Sequence, residues 1–328
     1  MRAAWYEEKG PATEVLRVGE LPTPGPGPGE LRIRLAFSGI NPGDVKKRQA
    51  RLGAAAPAYP RTVPHSDGAG VVDAVGEGVS AAWVGRRAWC SYAQSYRPYG
   101  TAAQYTVVPE GCAGALPDQV PAEQGACLGI PGITAHRAVF ADGPVTGRTV
   151  LVAGALGSVG RAAAALARRG GARVIGTVTR PGQLAALRAL GVDEAVCAGD
   201  EALDAVLALT GGRGADRVVE VAFDANAACD ARLVAPGGTI AAYATGDPAP
   251  VLPFWPLAFK NVTLRLLGYD DFPREVVRLA VADLTAAAAA AELHWPVAEV
   301  YPLDAVAAAH EAVEHPKAPG RVLLALPD

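Results

Sequence analysis

Three glycines, Gly154, Gly157 and Gly160, directly follow the apolar run 150–153 and directly precede an alanine-rich stretch with helical patterning. The cluster RRGG at 168–171 closes that stretch, and a second apolar run, 174–178, comes next. Strand, tight turn, helix, strand is the setting in which a glycine turn can seat a pyrophosphate. Gly157 lets the backbone approach the phosphates and Gly160 lets the helix pack close on the sheet. The N–H groups of Ser158 and Val159 face the anion at the positive end of the helix dipole. Ala155 stands where the usual G-x-G-x-x-G pattern has its first glycine, so the flanking strand and helix carry the assignment.

A site that grips the 2′-hydroxyl of NAD places an Asp or Glu about 20 residues after the glycines. No acidic residue occurs between Ala155 and Asp193, and Thr179 and Arg180 stand where the acid would be. A guanidinium there suits a 2′-phosphate, which it binds bidentately. The expected cofactor is therefore NADPH, with Arg180 as the discriminator; the alternative is a solvated turn arginine. Ala222, Tyr243 and Gly268 each lie just past the end of an expected strand, where cofactors of such sheets bind, and are either lining residues or ordinary loop residues.

The elements that must position these residues fit in 328 residues as two domains, each with its own core. Half of the chain is apolar, but no run approaches the ~20 uninterrupted apolar residues of a membrane span. The first residues lack the apolar core of a signal peptide, so a cytoplasmic location is expected. A net charge of −3 without a basic block gives nucleic acid no electrostatic footprint. The five cysteines are scattered, none in C-x-x-C, which argues against a disulfide framework.

Residues 1–122 read as short strands punctuated by Gly and Pro turns, with strands at 31–36, 68–76 and 101–108. From 123 to 267 strands and helices alternate, which predicts a doubly wound parallel sheet of six strands, five of them at 150–153, 174–178, 217–221, 239–242 and 262–267. Within it Asp200 is expected to cap a helix over 201–209, and 235–238 to form a sharp turn. Residues 268–328 hold a helical run through the alanine tract 286–291, a helix over 303–314 and a strand over 321–326. That strand needs a sheet, and since the parallel one already has six strands, it is expected to return to the first domain. Close helix packing is the expected reason for the alanine tract.

Over nearly its full length the chain resembles the medium-chain dehydrogenase/reductase superfamily, and within it the zinc-free quinone oxidoreductases related to zeta-crystallin. The resemblance is carried by GINPGD at 39–44, PHSDGAGVV at 64–72, GITA at 132–135, the glycine turn, FKNVTL at 259–264, YPLD at 301–304 and PGRVL at 319–323. It implies a Rossmann domain inserted into a GroES-like β-rich catalytic domain built from both chain ends, an active-site cleft between them, and a homodimer joined through edge strands near 262–267. It also implies that Asn41 contacts the nicotinamide ribose or the acceptor, that Thr134 borders the nicotinamide, and that Arg321 belongs to the cofactor site. Read locally, Asn41 is otherwise a turn residue before Pro42, and Asp44 a structural acid pairing with Lys47 or Arg48.

Zinc-dependent relatives use three protein ligands, and by resemblance these positions fall at Asn41, Ser66 and near Pro131, which cannot replace them. His65 beside them reads as a hydrogen-bonded loop residue. His310, Glu311 and His315 are similar to H-E-x-x-H with one residue too many; five residues turn a helix by about 500°, leaving the rings about 140° apart. Leu156 stands where the G-x-S-x-G elbow has a glycine, so Ser158 is not expected to be a nucleophile. Without a metal, the expected reaction is NADPH-dependent reduction of a quinone, by hydride or single electrons. Reduction of an enone or enoyl thioester is the alternative, then a specialised biosynthetic reductase, then a non-enzymatic NADPH-binding structural protein. Two departures alter the acceptor pocket: Lys46 and Leu52 stand where many bacterial relatives carry Tyr, which leaves Tyr59 as the nearby tyrosine.

Overall fold

The computed structural model describes residues 1–51 and 56–327, with the side chains of Asp200 and Glu201 left out. Leu52, one of the departures noted above, lies outside the described residues. The chain divides into two compact units, Met1–Ile133 with Asp270–Asp328, and Thr134–Tyr269. The first division falls inside the helix Gly129–Phe140, eleven residues beyond the change in texture at 122/123, because a helix that continues through a division leaves no break in the sequence pattern.

In the first unit, strands Val297–Pro302, Arg321–Ala325, Glu30–Ile40, Asp67–Val75, Arg87–Cys90 and Ala113–Ala115 lie side by side in that order, and Tyr105–Pro109 also pairs with Glu30–Ile40. The central strand, Glu30–Ile40, is longer than the expected 31–36. Its register against Asp67–Val75 shifts twice, between Arg32 and Ile33 and between Leu35 and Phe37, and such irregularities bend a strand. It can therefore serve several partners and deliver Asn41 at its end. Arg321–Ala325 does join this sheet, antiparallel to Glu30–Ile40 and parallel to Val297–Pro302. The latter strand had no sequence expectation. Residues 101–104, expected as strand, form a loop instead: Thr101 and Ala102 donate to the carbonyls of His65 and Pro64 rather than to a ladder. The core beneath includes Ala3, Tyr6, Ile40, Val45, Val63 and Leu324.

The second unit carries six strands in the order Glu194–Cys197, Arg173–Val178, Thr149–Val152, Ala215–Glu220, Val234–Ala242, Thr263–Leu266, all paired parallel. The strand direction of winding reverses between Thr149–Val152 and Ala215–Glu220, which makes that junction the topological switch point. Parallel strands covered on both faces read as continuous apolar runs, and Val150, Val152, Val174, Ile175, Val218, Val219 and Ile240 are all buried. The expected turn at 235–238 is a bulge within one strand: Ala215 pairs with Val234 and Arg217 with Thr239, so the intervening residues loop out around Gly237 at φ 70°.

Two other local expectations change. The helix Asp200–Leu209 begins at Asp200 itself, with Gly199 as the flanking residue; Gly199 holds φ 145°, a conformation only glycine adopts easily. In the helix Arg274–Ala289, Ala287 and Ala288 are buried while Ala286 and Ala289 face solvent, as do Ala290 and Ala291 just past its end. Helix propensity, not packing alone, accounts for most of the tract. All five cysteines are unpaired, and among the described residues no helix is long and apolar enough to cross a membrane.

Candidate functional site

In the second unit the chain leaves Thr149–Val152 through Ala153, whose N–H stays in the sheet on the Val219 carbonyl. Gly154 then adopts φ 61°, so the left-handed turn falls there, one residue before the position at which the fingerprint has its first glycine. Gly157 N–H closes the turn on the Gly154 carbonyl at 2.8 Å, and the helix Ser158–Arg169 starts on Gly157 with no side-chain cap. A Cβ on Gly160 would lie 2.4 Å from the Gly154 carbonyl oxygen and 2.8 Å from Ala155 Cα, whereas one on Gly157 would meet only the same oxygen at 3.2 Å. Gly160 is thus the close-packing glycine. Gly157 is exposed, with Ser158 and Val159 half-buried beside it. Ala155 is fully buried and its N–H is bound to the Thr177 carbonyl at 2.9 Å, so it supports the turn from within.

Thr179 and Arg180 are exposed just past Arg173–Val178, the strand next to the turn. The Arg180 N–H is held by Gln183 Oε1 at 3.2 Å, and its guanidinium makes no ion pair among the described residues. Ala222, Tyr243 and Gly268 follow the strands Ala215–Glu220, Val234–Ala242 and Thr263–Leu266. The turn, Thr179 with Arg180, and these three residues therefore occupy the carboxyl ends of five neighbouring strands. Thr134 is buried on the helix Gly129–Phe140.

Glu220 escaped the sequence reading. Buried at the end of its strand, it accepts from the Ala222 N–H and from Asn226 Nδ2 at the start of the helix Phe223–Leu233. Asp230 on that helix is pushed up by burial and by Glu220, so its carboxyl is held well above the usual carboxylate range beside that second acid. Both acids line a cavity of about 520 Å³ together with Ala153, Thr177, Gly199 and Asn226. The signal was an acid closing an apolar run, ADRVVE at 215–220. A cavity of about 690 Å³ in the first unit, bordered by Glu299, Tyr301, Glu311 and His315, contains none of the expected site residues.

In the first unit, Asn41 ends the central strand and begins the helix Pro42–Arg48, with proline at the first helical position. Its N–H donates to Asp44 Oδ2 at 2.8 Å. Asp44 is thereby a capping residue, and the expected pairing with Lys47 or Arg48 is not made: Lys47 pairs with Asp270, and Arg48 with Glu314. At the third helical position a carboxylate faces back over the start of the helix rather than along it. Burial and the nearby Asp67 push Asp44 up to about 7.

The Asn41 side chain is oriented by its neighbours. Nδ2 donates to Asp67 Oδ2 at 2.7 Å and Oδ1 accepts from Arg321 Nη1 at 2.8 Å. A carboxylate can only accept and a guanidinium can only donate, so the amide cannot be turned over. Asp67 is held in turn by Ser91 Oγ at 2.9 Å and the Ile130 N–H at 2.9 and 3.0 Å; burial still raises it above the usual carboxylate range, against the Arg321 guanidinium and these donors. Arg321 is buried, and its Nε and Nη2 find no oxygen or nitrogen hydrogen-bond partner among the described residues, with Nη2 3.8 Å from Asp67.

Zinc does not fit the three inherited positions. The Asn41 amide is committed on both sides, Ser66 offers a buried neutral hydroxyl, and Pro131 has no donor side chain. His310 is buried and His315 exposed, on different faces of Val306–Glu314 and its end. Lys46 is exposed. Tyr59 donates its hydroxyl to the Tyr96 carbonyl at 2.5 Å.

Residues 27–118 match the alcohol dehydrogenase GroES-like domain family, and residues 158–282 the family described as zinc-binding dehydrogenase. The chain is 31% identical over 330 residues to a human quinone oxidoreductase, covering 98% of this chain and 96% of that one. Among solved structures, a mycobacterial protein complexed with NADPH is similar at 29% identity and a TM-score of 0.84, over 99% of this chain and 100% of that one. An NAD-dependent alcohol dehydrogenase is similar at 29% identity and a TM-score of 0.85, over the whole of both chains. Overall likeness thus leaves the cofactor to individual residues. With these matches running end to end, the chain belongs to the medium-chain dehydrogenase/reductase superfamily and is a quinone oxidoreductase-like enzyme of the zeta-crystallin type.

Proposed function

We propose that this enzyme reduces quinones with NADPH, by hydride or single-electron transfer and without a metal. The observation that carries the reading is the glycine turn at the switch point of the parallel sheet, with an Arg180 that makes no ion pair among the described residues at the end of the adjacent strand. NADPH, when bound, supplies the reducing equivalents. Gly157 and the N-terminus of Ser158–Arg169, Ser158 and Val159 included, hold its diphosphate, and a bare Gly160 keeps that helix seated. Arg180 with Thr179 takes the 2′-phosphate. Ala222, Tyr243 and Gly268 line the cofactor and Thr134 borders the nicotinamide.

Asn41 contacts the nicotinamide ribose or the acceptor oxygen on which charge develops, and an amide fixed in this way needs no reorganisation during reaction. Arg321 holds the Asn41 carbonyl and belongs with it to the cofactor site. A quinone suits so sparse a site, because its developing charge is spread over a conjugated system.

A twofold partner is proposed for the outer edge of the parallel sheet. Thr263–Leu266 is its last strand, and beside it stand Val251, Phe254, Trp255, Phe259 and Leu266, exposed by 84, 59, 64, 80 and 71%. An unpaired edge next to so many exposed apolar side chains is unusual for a monomer.

The test follows NADPH absorbance with 9,10-phenanthrenequinone, 1,4-benzoquinone, an alkenal and crotonyl-CoA. Turnover with the quinones is expected. Turnover confined to the alkenal or to crotonyl-CoA would move the enzyme to C=C reduction, and binding of NADPH without oxidation by any acceptor would make it a binding protein.

A further inference from the structure

Two imidazoles that stand 245 residues apart in the sequence meet in the core of the first unit. His65 and His310 are fully buried, with Nε2 atoms 2.8 Å apart and rings 5.0 Å apart at 27°. On one side Arg48 Nε donates to His310 Nδ1 at 3.3 Å, while Arg48 is itself ion-paired with Glu314. On the other, His65 Nδ1 lies 2.9 Å from Ser38 Oγ, which lies 2.7 Å from Thr101 Oγ1. Thr101 donates to the Asp67 backbone carbonyl at 2.7 Å.

The direction of this chain is fixed from both ends. A guanidinium only donates, so His310 Nδ1 accepts and its proton sits on Nε2, facing His65. A carbonyl only accepts, so Thr101 spends its proton on Asp67 and accepts from Ser38, which accepts from His65 Nδ1–H. The two deductions agree at the His65–His310 contact, where His310 donates and His65 accepts. Both rings must be neutral. Burial and Arg48 hold His310 down to about 3; burial, then His310 and Arg321, hold His65 well below its ordinary value. His65 also has φ 73°, left-handed backbone that is uncommon outside glycine, and hydrogen bonds at both ring nitrogens keep it there.

We propose that His310, acting through His65, is a positioning residue for Asn41: the directed chain fixes the corner 64–67 from which Asp67 grips the Asn41 amide. The inference rests on the role given to Asn41 above. It makes neither histidine a catalytic residue, since both act through Asp67.

The test uses full-length protein with selectively 15N-labelled asparagine, and reads the Asn41 side-chain amide. In His310→Phe that signal is expected to lose the downfield position of an amide bonded to a carboxylate. His310→Gln, which can accept from Arg48 and donate to His65, restores it. Thr101→Val breaks the chain at its far end with little change of shape, and is expected to repeat the loss even if His310→Phe folds poorly. In steady state, His310→Phe should lower kcat/KM for the quinone roughly tenfold, a change of ~1.4 kcal/mol. In an Asn41→Ala background it should have no further effect. An Asn41 amide unmoved in His310→Phe and Thr101→Val, or equal fold losses with and without the Asn41 side chain, would overturn the proposal. If the wild type reduced no quinone, the functional reading would fail, and the amide signal alone would decide this one.

Discussion

Adding one methyl group at each of two glycines separates holding a helix from holding a phosphate. At Gly160 the new Cβ would stand 2.4 Å from the Gly154 carbonyl oxygen, whereas ordinary contact begins at 3.4 Å, so Ser158–Arg169 must retreat by about 1 Å from the turn. The obstacle is backbone and cannot swing away. Overpacking of this kind costs ~2–3 kcal/mol, or about 5–10 °C in Tm for a domain of this size. At Gly157 the only contact is 3.2 Å and φ is −70°, so alanine should change Tm by less than ~2 °C. The same methyl would stand where the diphosphate rests, and NADPH should bind roughly tenfold more weakly, ~1.4 kcal/mol. Thermal denaturation and NADPH fluorescence titration on both variants read the two effects separately. A Gly157→Ala variant with wild-type NADPH affinity, or Gly160→Ala with wild-type Tm, would refute the reasoning.

Arg180→Ala should raise KM for NADPH at least tenfold and leave that for NADH within about twofold, since the 2′-phosphate loses one charge-assisted partner; an unchanged NADPH KM would return Arg180 to the solvent. Asp44, lifted from 3.8 to about 7, favours the unfolded chain increasingly as pH rises from about 4 to 7. At ~1.36 kcal/mol per unit this is at most about 4 kcal/mol. Asp44→Asn keeps an acceptor for the Asn41 N–H, so it should raise Tm at pH 8 and bring no gain at pH 4; equal effects at both pH values would contradict this. Phe259→Glu, at a side chain 80% exposed, should convert a dimer to monomer by light scattering with the fold intact, whereas a wild type already monomeric would rule out the proposed interface.

How far the sequence discloses this molecule depends on whether a signal is local. The runs 150–153 and 174–178 are legible because parallel strands buried on both faces cannot alternate, and the final strand's destination follows from counting the six already in the other sheet. Asn41 and Arg321 come from resemblance, and nothing near either in sequence points to the bond between them. Asp44 is structural, as expected, but with a different partner, because helical spacing offers Lys47 and Arg48 while the cap depends on where the helix starts. The loop at 101–104 looks like strand because Thr101, Ala102 and Ala103 are β-branched or small and apolar and run into a strand, and only the carbonyls of Pro64 and His65 decide otherwise. His65 reads as a hydrogen-bonded loop residue, which it is, but its partner His310 could be named only after folding.

The most direct measurement is a crystal structure of the enzyme with bound NADPH. The account predicts the diphosphate over residues 157–160 at the start of Ser158–Arg169, with the 2′-phosphate on Arg180. A diphosphate lying anywhere else in the second unit would contradict it.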